Sequence, residues 1–431
     1  MLLLHKSELK KSFAKYAITI ALLAAVIILF NTINANIVCA QDQPNLDSLL
    51  QKANQGDPES QFQVGKLYET GDGVRQNYST AAKWYQKAAD QGYAMAQVHL
   101  GYLYQQGNGV RQSYSTALEY YQKAAVQGSA EAEFRIGSLY ANGYGVAQNY
   151  STALEWYQKA AAKGYASAEN NIGALYEHGR GVAQSYATAF EWYQRAADRG
   201  EPIAQINLAF LYENGRGVAQ NFAKALEYFQ KAAAQGNAEA QLQIGILYEN
   251  GYGVTQNYST ALEWYQKAAA QGHAEAENNI GALYEHGRGV AQSYAKAREW
   301  YQKAADKGEP WGQTNLGTLY ENGTGVRQSY SKALEYYQKA AAQGFARAEF
   351  KIGWLYENGF GVKQNYSTAL EWYQKAANKG DPFAQNNLGW LLENGYGVTQ
   401  NVSEAIEWYK KSAAQGNPTA LANLRRLGVS M

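Results

Sequence analysis

Residues 237–272 read NAEAQLQIGILYENGYGVTQNYSTALEWYQKAAAQG, and close variants of these 36 residues fill most of the 431-residue chain. Ten copies follow one another from residue 57 to residue 416 without an insertion or a deletion. The glycine that closes each copy therefore returns every 36 residues, from Gly92 to Gly416. A fixed period of this length is typical of a solenoid, in which each copy is one supersecondary unit that buries its apolar face against its neighbours.

Each copy carries the pattern of two helices. In the first, apolar residues stand at positions four, eight, eleven and twelve of the copy, which is the spacing of one helical face. Five of the six prolines stand at position two, where the first residue of a helix has no hydrogen bond to lose. Glycine at position fifteen predicts the end of this helix after about twelve residues, because a left-handed residue stops it.

The second helix is predicted to begin after the Asn or Ser at position 21, since both residue types cap helices well. It ends at the glycine of position 36. Seven of the ten tryptophans stand at position 28, inside this helix. We therefore interpret the aromatic richness of the chain mainly as core packing, rather than as a cofactor-binding cluster.

Position nine holds glycine in every copy except the fifth, which has Ala209, although a glycine inside a helix costs about 1 kcal/mol relative to alanine. We expect the two helices of a copy to approach each other closely at this glycine, with a small residue opposite. The expected pairs are Gly65 with Ala81, Gly101 with Ala117, and Gly137 with Ala153.

Half-copies flank the array. Residues 46–56 match a second helix alone, and residues 417–428 match a first helix alone, with Arg425 in place of the position-nine glycine. That arginine would stop a further copy from docking, as a cap does. The predicted organisation is a signal peptide (1–40), a linker with a half-repeat helix (41–56), ten repeats (57–416) and a capping helix (417–431).

The wording LYENGxGVxQNYxxAxxWYxKAAxQG resembles the Sel-one-like repeat family, a branch of the tetratricopeptide-like helical repeat proteins. The resemblance covers residues 57–416. It implies an all-α solenoid of antiparallel helix pairs in a right-handed superhelix. It also implies a protein-interaction scaffold of the kind found often in bacterial envelope and secreted proteins.

The first forty residues have the pattern of a secretory signal. An apolar run at residues 17–30 follows a basic stretch and is shorter than the roughly 20 residues that span a bilayer. We expect cleavage after Ala40. An uncleaved anchor is one alternative; a lipoprotein modified at Cys39 is another, which Val38 disfavours because a small residue is usual there. The basic residues are Lys6, Lys10, Lys11 and Lys15.

Composition argues against several classes of function. With 38 Lys and Arg against 37 Asp and Glu, the chain lacks the basic surface that nucleic-acid binding needs. A single cysteine cannot build a zinc finger or a disulfide framework. No histidine has a second histidine or cysteine at metal-ligand spacing, so no metal site is predicted. The histidines that follow the signal are His99, His178, His273 and His286.

No catalytic or cofactor-binding constellation is predicted either. The glycine pairs such as Gly71 and Gly73 lack the preceding strand and the third glycine of a dinucleotide fingerprint. Ser293 with Lys296, and Ser329 with Lys332, match Ser-x-x-Lys, but the chain has no S-D-N or K-T-G partner motif for an acylation site. We therefore predict a protein that is not an enzyme.

Candidate binding residues stand where the copies differ. Positions three, six, seven and ten of the first helix vary most and are predicted to share the face opposite the apolar seam. Asparagine recurs at position seven, and a row of amides can grip the backbone of an extended peptide; a solvated polar face is the alternative. These asparagines are Asn171, Asn207, Asn279, Asn315 and Asn387.

Three tryptophans are not explained by the repeat: Trp311 at position three, and Trp354 and Trp390 at position ten. Phe383 stands at position three of the tenth copy. Large aromatic side chains on an otherwise polar face are typical of interaction sites, where tryptophan is a favoured anchor. Burial between neighbouring first helices is the alternative.

The leading hypothesis is an exported, non-enzymatic scaffold that holds an envelope or host protein, or a peptide, in a concave groove. A second hypothesis is an enzyme or a glycan-binding accessory protein that acts on cell-wall peptidoglycan. A third is a purely architectural spacer. Catalytic turnover that a single substitution abolishes would favour the second hypothesis, and the absence of any specific ligand would favour the third.

We expect the exported chain to begin at Gln41. Intact-mass spectrometry of protein recovered from outside the cytoplasm of a bacterial expression host measures this directly. A mass that includes residues 1–40 would indicate the uncleaved anchor, and a lipid-modified Cys39 at the N-terminus would indicate the lipoprotein.

Overall fold

The computed structural model describes residues 46–430, within which every regular element is a helix and no strand occurs. The predicted signal peptide lies outside these residues. The chain divides into two compact units at Ala168. In each unit, consecutive helices pack as pairs, first helix against second helix of the same copy. The all-helical repeat fold expected from the sequence is thus confirmed for the described part of the chain.

The helices of the first unit begin with the half-repeat. They are α1 (Leu46–Asn54), α2 (Pro58–Thr70), α3 (Tyr78–Asp90), α4 (Ala94–Gln106), α5 (Tyr114–Val126), α6 (Ala130–Asn142) and α7 (Tyr150–Ala162). The division between the units falls inside α8 (Ala166–His178).

The second unit ends with the capping helix. Its helices are α9 (Tyr186–Asp198), α10 (Pro202–Asn214), α11 (Phe222–Ala234), α12 (Ala238–Asn250), α13 (Tyr258–Ala270), α14 (Ala274–His286), α15 (Tyr294–Asp306), α16 (Pro310–Asn322), α17 (Tyr330–Ala342), α18 (Ala346–Asn358), α19 (Tyr366–Asn378), α20 (Pro382–Asn394), α21 (Val402–Ala414) and α22 (Pro418–Arg426).

The start and stop signals predicted from the sequence are confirmed. The prolines at position two open their helices, and the position-fifteen glycines have φ between +64° and +85°, the left-handed region that ends a helix. At position 21, Asn257 illustrates the cap, because its side-chain oxygen accepts the backbone N–H of Thr260 at 3.0 Å. These signals give both helices of each full copy a length of 13 residues.

A second glycine, at position 17, lies where one copy meets the previous one. A β-carbon on Gly289 would lie 2.6 Å from the Cβ of Tyr258 and 2.7 Å from the backbone nitrogen of Ser259. Only glycine permits this approach between copies. In each Gly-x-Gly motif, the first glycine thus ends a helix and the second allows close packing between copies.

The position-nine glycine lies against an aromatic ring. A β-carbon on Gly281 would lie 2.6 Å from both Cδ1 and Cε1 of Tyr301, the buried tyrosine at position 29. The expected partner was therefore wrong: the nearest atoms at Gly65, Gly101 and Gly137 are also tyrosine ring carbons. At Gly101 and Gly137 the alanine opposite contributes only its carbonyl oxygen. The added β-carbon would lie 3.2 Å from the Ala117 oxygen and 3.1 Å from the Ala153 oxygen.

A hydrogen bond holds this tyrosine in place. The Tyr301 hydroxyl donates to Glu285 at 2.6 Å, and burial together with that carboxylate raises the pKa of Tyr301 above its ordinary value. Tyrosine at position 29 makes the same bond to glutamate at position 13 in seven copies, and to Gln105 in the second. The ring is thus fixed over the glycine and has no room to move aside.

The fifth copy departs from this arrangement at both positions at once. Ala209 replaces the glycine and Phe229 replaces the tyrosine. The Phe229 ring packs edge-on against Phe210 with 5.3 Å between centroids. Phe229 has no hydroxyl to donate, so Glu213 loses the donor that its equivalents have, and burial raises the pKa of Glu213. A ring without the hydrogen bond is free to shift and make room for the alanine methyl group.

A buried polar pair forms the second contact within each copy. Position five is buried, and its side chain bonds the residue at position 35: Gln241 accepts from Gln271 at 2.9 Å, and Glu277 accepts from Lys307 at 2.7 Å. The two positions change together in all ten copies. The Glu pairs are Glu133–Lys163, Glu169–Arg199, Glu277–Lys307 and Glu349–Lys379, and the other six pairs are Gln–Gln.

We predict that Gly281→Ala destabilises its copy by about 1–3 kcal/mol, because the added methyl group overlaps a fixed ring. Tyr301→Phe alone costs about 1 kcal/mol through its lost hydrogen bond. The double variant, which copies the fifth repeat, should be more stable than the sum of the two changes by about 1 kcal/mol. Hydrogen exchange of the amides in residues 274–306 measures the local free energy of opening. Additive effects would contradict the coupling.

A second prediction concerns the polar pair. Lys307→Ala leaves the Glu277 carboxylate buried without its cation and should cost about 2 kcal/mol of local stability. Glu277→Gln combined with Lys307→Gln restores the pair found in six copies and should stay within about 0.5 kcal/mol of the wild type. The control is Lys339→Ala, whose partner Glu335 is exposed, so its loss should cost less than about 0.5 kcal/mol. Equal losses for the Lys307 and Lys339 variants, in the same exchange experiment, would refute this account.

Candidate functional site

Two of the first helices in the last three copies, α16 and α20, carry an exposed aromatic side chain at their starts. Trp311 of α16 is 50% exposed and Phe383 of α20 is 48% exposed, both at position three. Position three of the intervening helix α18 is Arg347. In the remaining copies, large exposed hydrophobic residues occur at this position only as Met95 and Ile203, which precede Trp311 by multiples of 108 residues.

Trp311 packs against the start of the next first helix. Its ring lies edge-on to Phe345, the residue before α18, with 4.7 Å between centroids. Glu309 caps α16 by accepting the backbone N–H of Trp311 at 3.0 Å, so the backbone that carries the indole is itself held. The tryptophan is therefore both exposed and oriented.

Arg347 packs on two phenylalanine rings, those of Phe383 and Phe350. Its guanidinium lies 4.6 Å from the Phe383 ring centroid and 5.0 Å from that of Phe350, and the two phenylalanine rings are 5.9 Å apart. A guanidinium nitrogen also lies 3.9 Å from Asp381, whose pKa burial raises despite the nearby positive charge. Residues Trp311, Phe345, Arg347, Phe350 and Phe383 form what we call the aromatic strip.

The two position-ten tryptophans lie toward the other end of their helices. Trp354 packs against Phe360 with 5.1 Å between centroids, and Trp390 packs against Tyr396 at 5.0 Å. Both tryptophans are half-buried and contact the same apolar core cluster. Each tryptophan ring thus packs against the turn that follows its own helix, and only part of the ring is exposed to solvent.

The position-seven asparagines are half-buried and bond to asparagines at position six. Asn207 donates to Asn170 at 3.0 Å, and Asn170 donates to Asn171 at 3.3 Å. The same three-residue network recurs 108 and 216 residues later. Its members there are Asn278, Asn279 and Asn315, then Asn386, Asn387 and Asn423, and Asn387 also donates to the Tyr373 hydroxyl at 3.1 Å.

Position six does not belong to an exposed face, contrary to the expectation from helical spacing. It is buried in nine of the ten copies. In the first copy, Phe62 shows the reason, because its ring packs against Tyr85 of its own copy and against Tyr93 and His99 of the next. Residues at this position fill the contact between copies, and their variety reflects local packing.

Sequence reasoning missed Arg347, Phe345 and Phe350 as site residues. Phe345 stands at position one, just before the first helix, and Phe350 stands at position six. The available signal was the run of Trp, Arg and Phe at position three of three consecutive copies. That run places a cation next to aromatic residues along position three, but the sequence does not show that Arg347 packs on Phe383.

The Ser-x-x-Lys matches have a structural explanation. Ser293 and Ser329 are caps, and each hydroxyl oxygen accepts the backbone N–H of the lysine three residues later at 3.4 Å. Within residues 46–430, no group of three His, Cys, Asp or Glu side chains is arranged to hold a metal ion. None of the helices described in that range has the length and apolar character needed to cross a bilayer.

The chain matches the family model described as Sel1 repeat in ten consecutive segments, which run from residue 58 to residue 417 with only residues 310–311 unmatched. It is similar to a protective antigen with an SLR fold from uropathogenic Escherichia coli strains: the identity is 34%, over 89% of this chain and 83% of that chain, and the TM-score is 0.69. A Sel1 repeat protein from Oxalobacter formigenes is 30% identical, over 72% of this chain and 90% of that chain, with a TM-score of 0.58. No curated protein matched. The chain therefore belongs to the Sel1 repeat family.

Proposed function

We propose that this protein is an exported, non-enzymatic scaffold that binds an envelope or host protein, or a peptide, through the first-helix face of its last three copies. Sel1 repeat proteins generally act as protein–protein interaction scaffolds. The observation that carries the proposal is the aromatic strip, in which Trp311 and Phe383 are half exposed and Arg347 packs on Phe383. Tryptophan and arginine are the residues most enriched among binding hot spots.

The strip has the properties of a preformed binding surface. Trp311 is held by Phe345 with 4.7 Å between ring centroids, and Phe383 by Phe350 at 5.9 Å and by Arg347, so little rotamer freedom is lost when a partner docks. Half of the Trp311 and Phe383 surface faces water. Covering that surface is favourable, and an exposed apolar patch of this kind usually marks an interaction site.

The asparagine networks support peptide binding beside the strip. An amide has two N–H donors and a carbonyl oxygen, and Asn315 uses one donor for Asn278. Its network neighbour fixes the orientation of the amide, and the second N–H can serve a ligand. A peptide that crosses neighbouring first helices would meet such amides at position seven and aromatic anchors at position three.

Export rests on the basic and apolar pattern of the first forty residues. The chain after Ala40 contains no cysteine, which suits an oxidising compartment. The relative from uropathogenic Escherichia coli is a protective antigen, which supports a location outside the cytoplasm for this chain too. The partner would then be a protein of the envelope or of a host.

The test begins with a pull-down from envelope extract, followed by affinity measurement with the purified partner. We expect Trp311→Ala with Phe383→Ala to weaken binding by at least about 2 kcal/mol, or about thirtyfold. The matched control is Met95→Ala with Ile203→Ala, which alters equally exposed residues at the same position of other copies. Trp354→Ala with Trp390→Ala, and Asn279→Ala with Asn315→Ala, test the remaining candidates separately.

Two results would contradict the proposal. One is an affinity within about twofold of the wild type for the Trp311 and Phe383 variant, when its circular dichroism and thermal unfolding are unchanged. The other is equal weakening by the Met95 and Ile203 control, which would indicate nonspecific apolar adhesion. Amidase, lactamase or glycosidase turnover lost on a single substitution would favour the cell-wall enzyme instead.

A further inference from the structure

The second-helix face of the seventh and eighth copies contains a cavity that the repeat normally fills. Position 26 is leucine in six copies and is close to fully buried in three of them, at Leu154, Leu226 and Leu262. In the seventh copy this position is Arg298, whose side chain is exposed. The apolar side chain that packs between one second helix and the following copy is therefore absent at this position.

The cavity has a volume of about 550 Å³. Arg298 of the seventh copy lines it, together with Tyr320, Val326, Arg327 and Lys332 of the eighth copy. A second cavity of about 480 Å³ shares Arg298 and Tyr320 with it and adds Lys303, Gln302 and Glu299. Three cations from two copies thus surround the first cavity, and Lys303 extends the positive charge along the groove.

No carboxylate lines the cavity of 550 Å³. Two carboxylates of the eighth copy are bound elsewhere, Glu321 to Lys351 at 2.9 Å and Glu335 to Lys339 at 2.6 Å. Glu299 lines only the neighbouring cavity. The positive charge of Arg298, Arg327 and Lys332 is therefore not balanced by the side chains of this cavity.

The residues that line the cavity favour recognition of a ligand by its charge. Tyr320 is stacked on Tyr336 with 5.9 Å between ring centroids, and the Lys332 ammonium lies 5.0 Å from the Tyr320 centroid. The Tyr320 ring is thus already in contact with these two side chains. What the cavity offers is cationic donors, two of which are guanidinium groups whose planar shape suits an oxyanion.

The first copy supplies an internal comparison. Position 26 is Ala82 there, and a cavity of about 460 Å³ opens at the same place. Leu100, Tyr104 and Val110 line that cavity, together with two lysines at its edge. Loss of the leucine alone therefore opens the site, whereas the arginine at position 26 and the Arg327 and Lys332 pair are specific to copies seven and eight.

We propose that the cavity between Arg298, Arg327 and Lys332 binds the phosphate group of a phosphate monoester. A dianion of this kind matches three converging cations, and the volume leaves room for the molecule that carries the phosphate. Its three cations lie on the second helices of the seventh and eighth copies and on the turn that joins the two helices of the eighth copy, and no residue of the aromatic strip lines it. It is a second binding site and does not depend on the proposed protein-binding function.

The test uses the full-length mature protein and isothermal titration calorimetry at low ionic strength. Inorganic phosphate, glucose 6-phosphate and glucose are the probes. We expect saturable binding of both phosphates and none of glucose. Tighter binding of glucose 6-phosphate than of inorganic phosphate would show that the carrier molecule adds contacts, and equal affinity would show that the phosphate alone is recognised.

The repeat itself provides variants that preserve the fold. Arg298→Leu installs the residue of six other copies, Arg327→Ala that of four copies, and Lys332→Thr that of six copies. We expect Arg298→Leu to lower phosphate affinity at least about tenfold, and each of the others at least about threefold. The matched control is Arg111→Ala, an exposed arginine at the position of Arg327 in the second copy, which should leave the affinity unchanged.

Three results would overturn the proposal: no saturable phosphate binding, wild-type affinity in Arg298→Leu, or equal loss in Arg111→Ala. The last would indicate general attraction to a charged surface, which rising chloride also suppresses. The Trp311→Ala and Phe383→Ala variant should retain full phosphate binding. The same set of variants therefore distinguishes a failure of the phosphate site from a failure of the proposed protein-binding site.

Discussion

The packing of a tyrosine ring directly on a glycine sets the geometry of the helix pair in nine of the ten copies. Because the ring occupies the place of a β-carbon, the two helices of a copy lie closer than side chains larger than hydrogen would allow. The hydrogen bond from that tyrosine to position 13 then removes the freedom of the ring to shift. This contact fixes the first helix of a copy against the second.

The copies show which positions are constrained by one another. Positions nine and 29 change only together, as in Ala209 with Phe229, and positions five and 35 exchange Gln–Gln for Glu–Lys or Glu–Arg as a pair. A change of one member would leave an overlap or a buried charge without a partner. Positions three, seven and ten have no partner that recurs in every copy: position three bonds position seven in the third and sixth copies only, and position ten contacts position 29 in the third, fifth and eighth. Their variety is therefore less constrained by the fold.

Sequence periodicity predicted the helices and their ends well, because caps, prolines and glycines act on the backbone within a few residues. It did not predict which side chains meet across helices. The ring opposite Gly281, the burial of position six and the bonds between Asn278 and its neighbours depend on the register between helices, which the spacing along one helix does not contain. The stacking of Arg347 on Phe383 was missed for the same reason, although each residue stood at a position known to vary.

The aromatic residues of this chain divide into those that the fold uses and those that it does not. In all ten copies the Trp or Tyr at position 28 is covered by the Lys or Arg three residues later, with 3.7–4.9 Å between the cation and the ring centroid. Those rings are already paired with a cation of their own helix. Trp311 and Phe383 are different, because half of each side chain faces water while its inner edge is fixed by neighbouring side chains. The same reasoning identifies Arg298 on the opposite type of helix, where a cation stands at a position that the repeat fills with leucine.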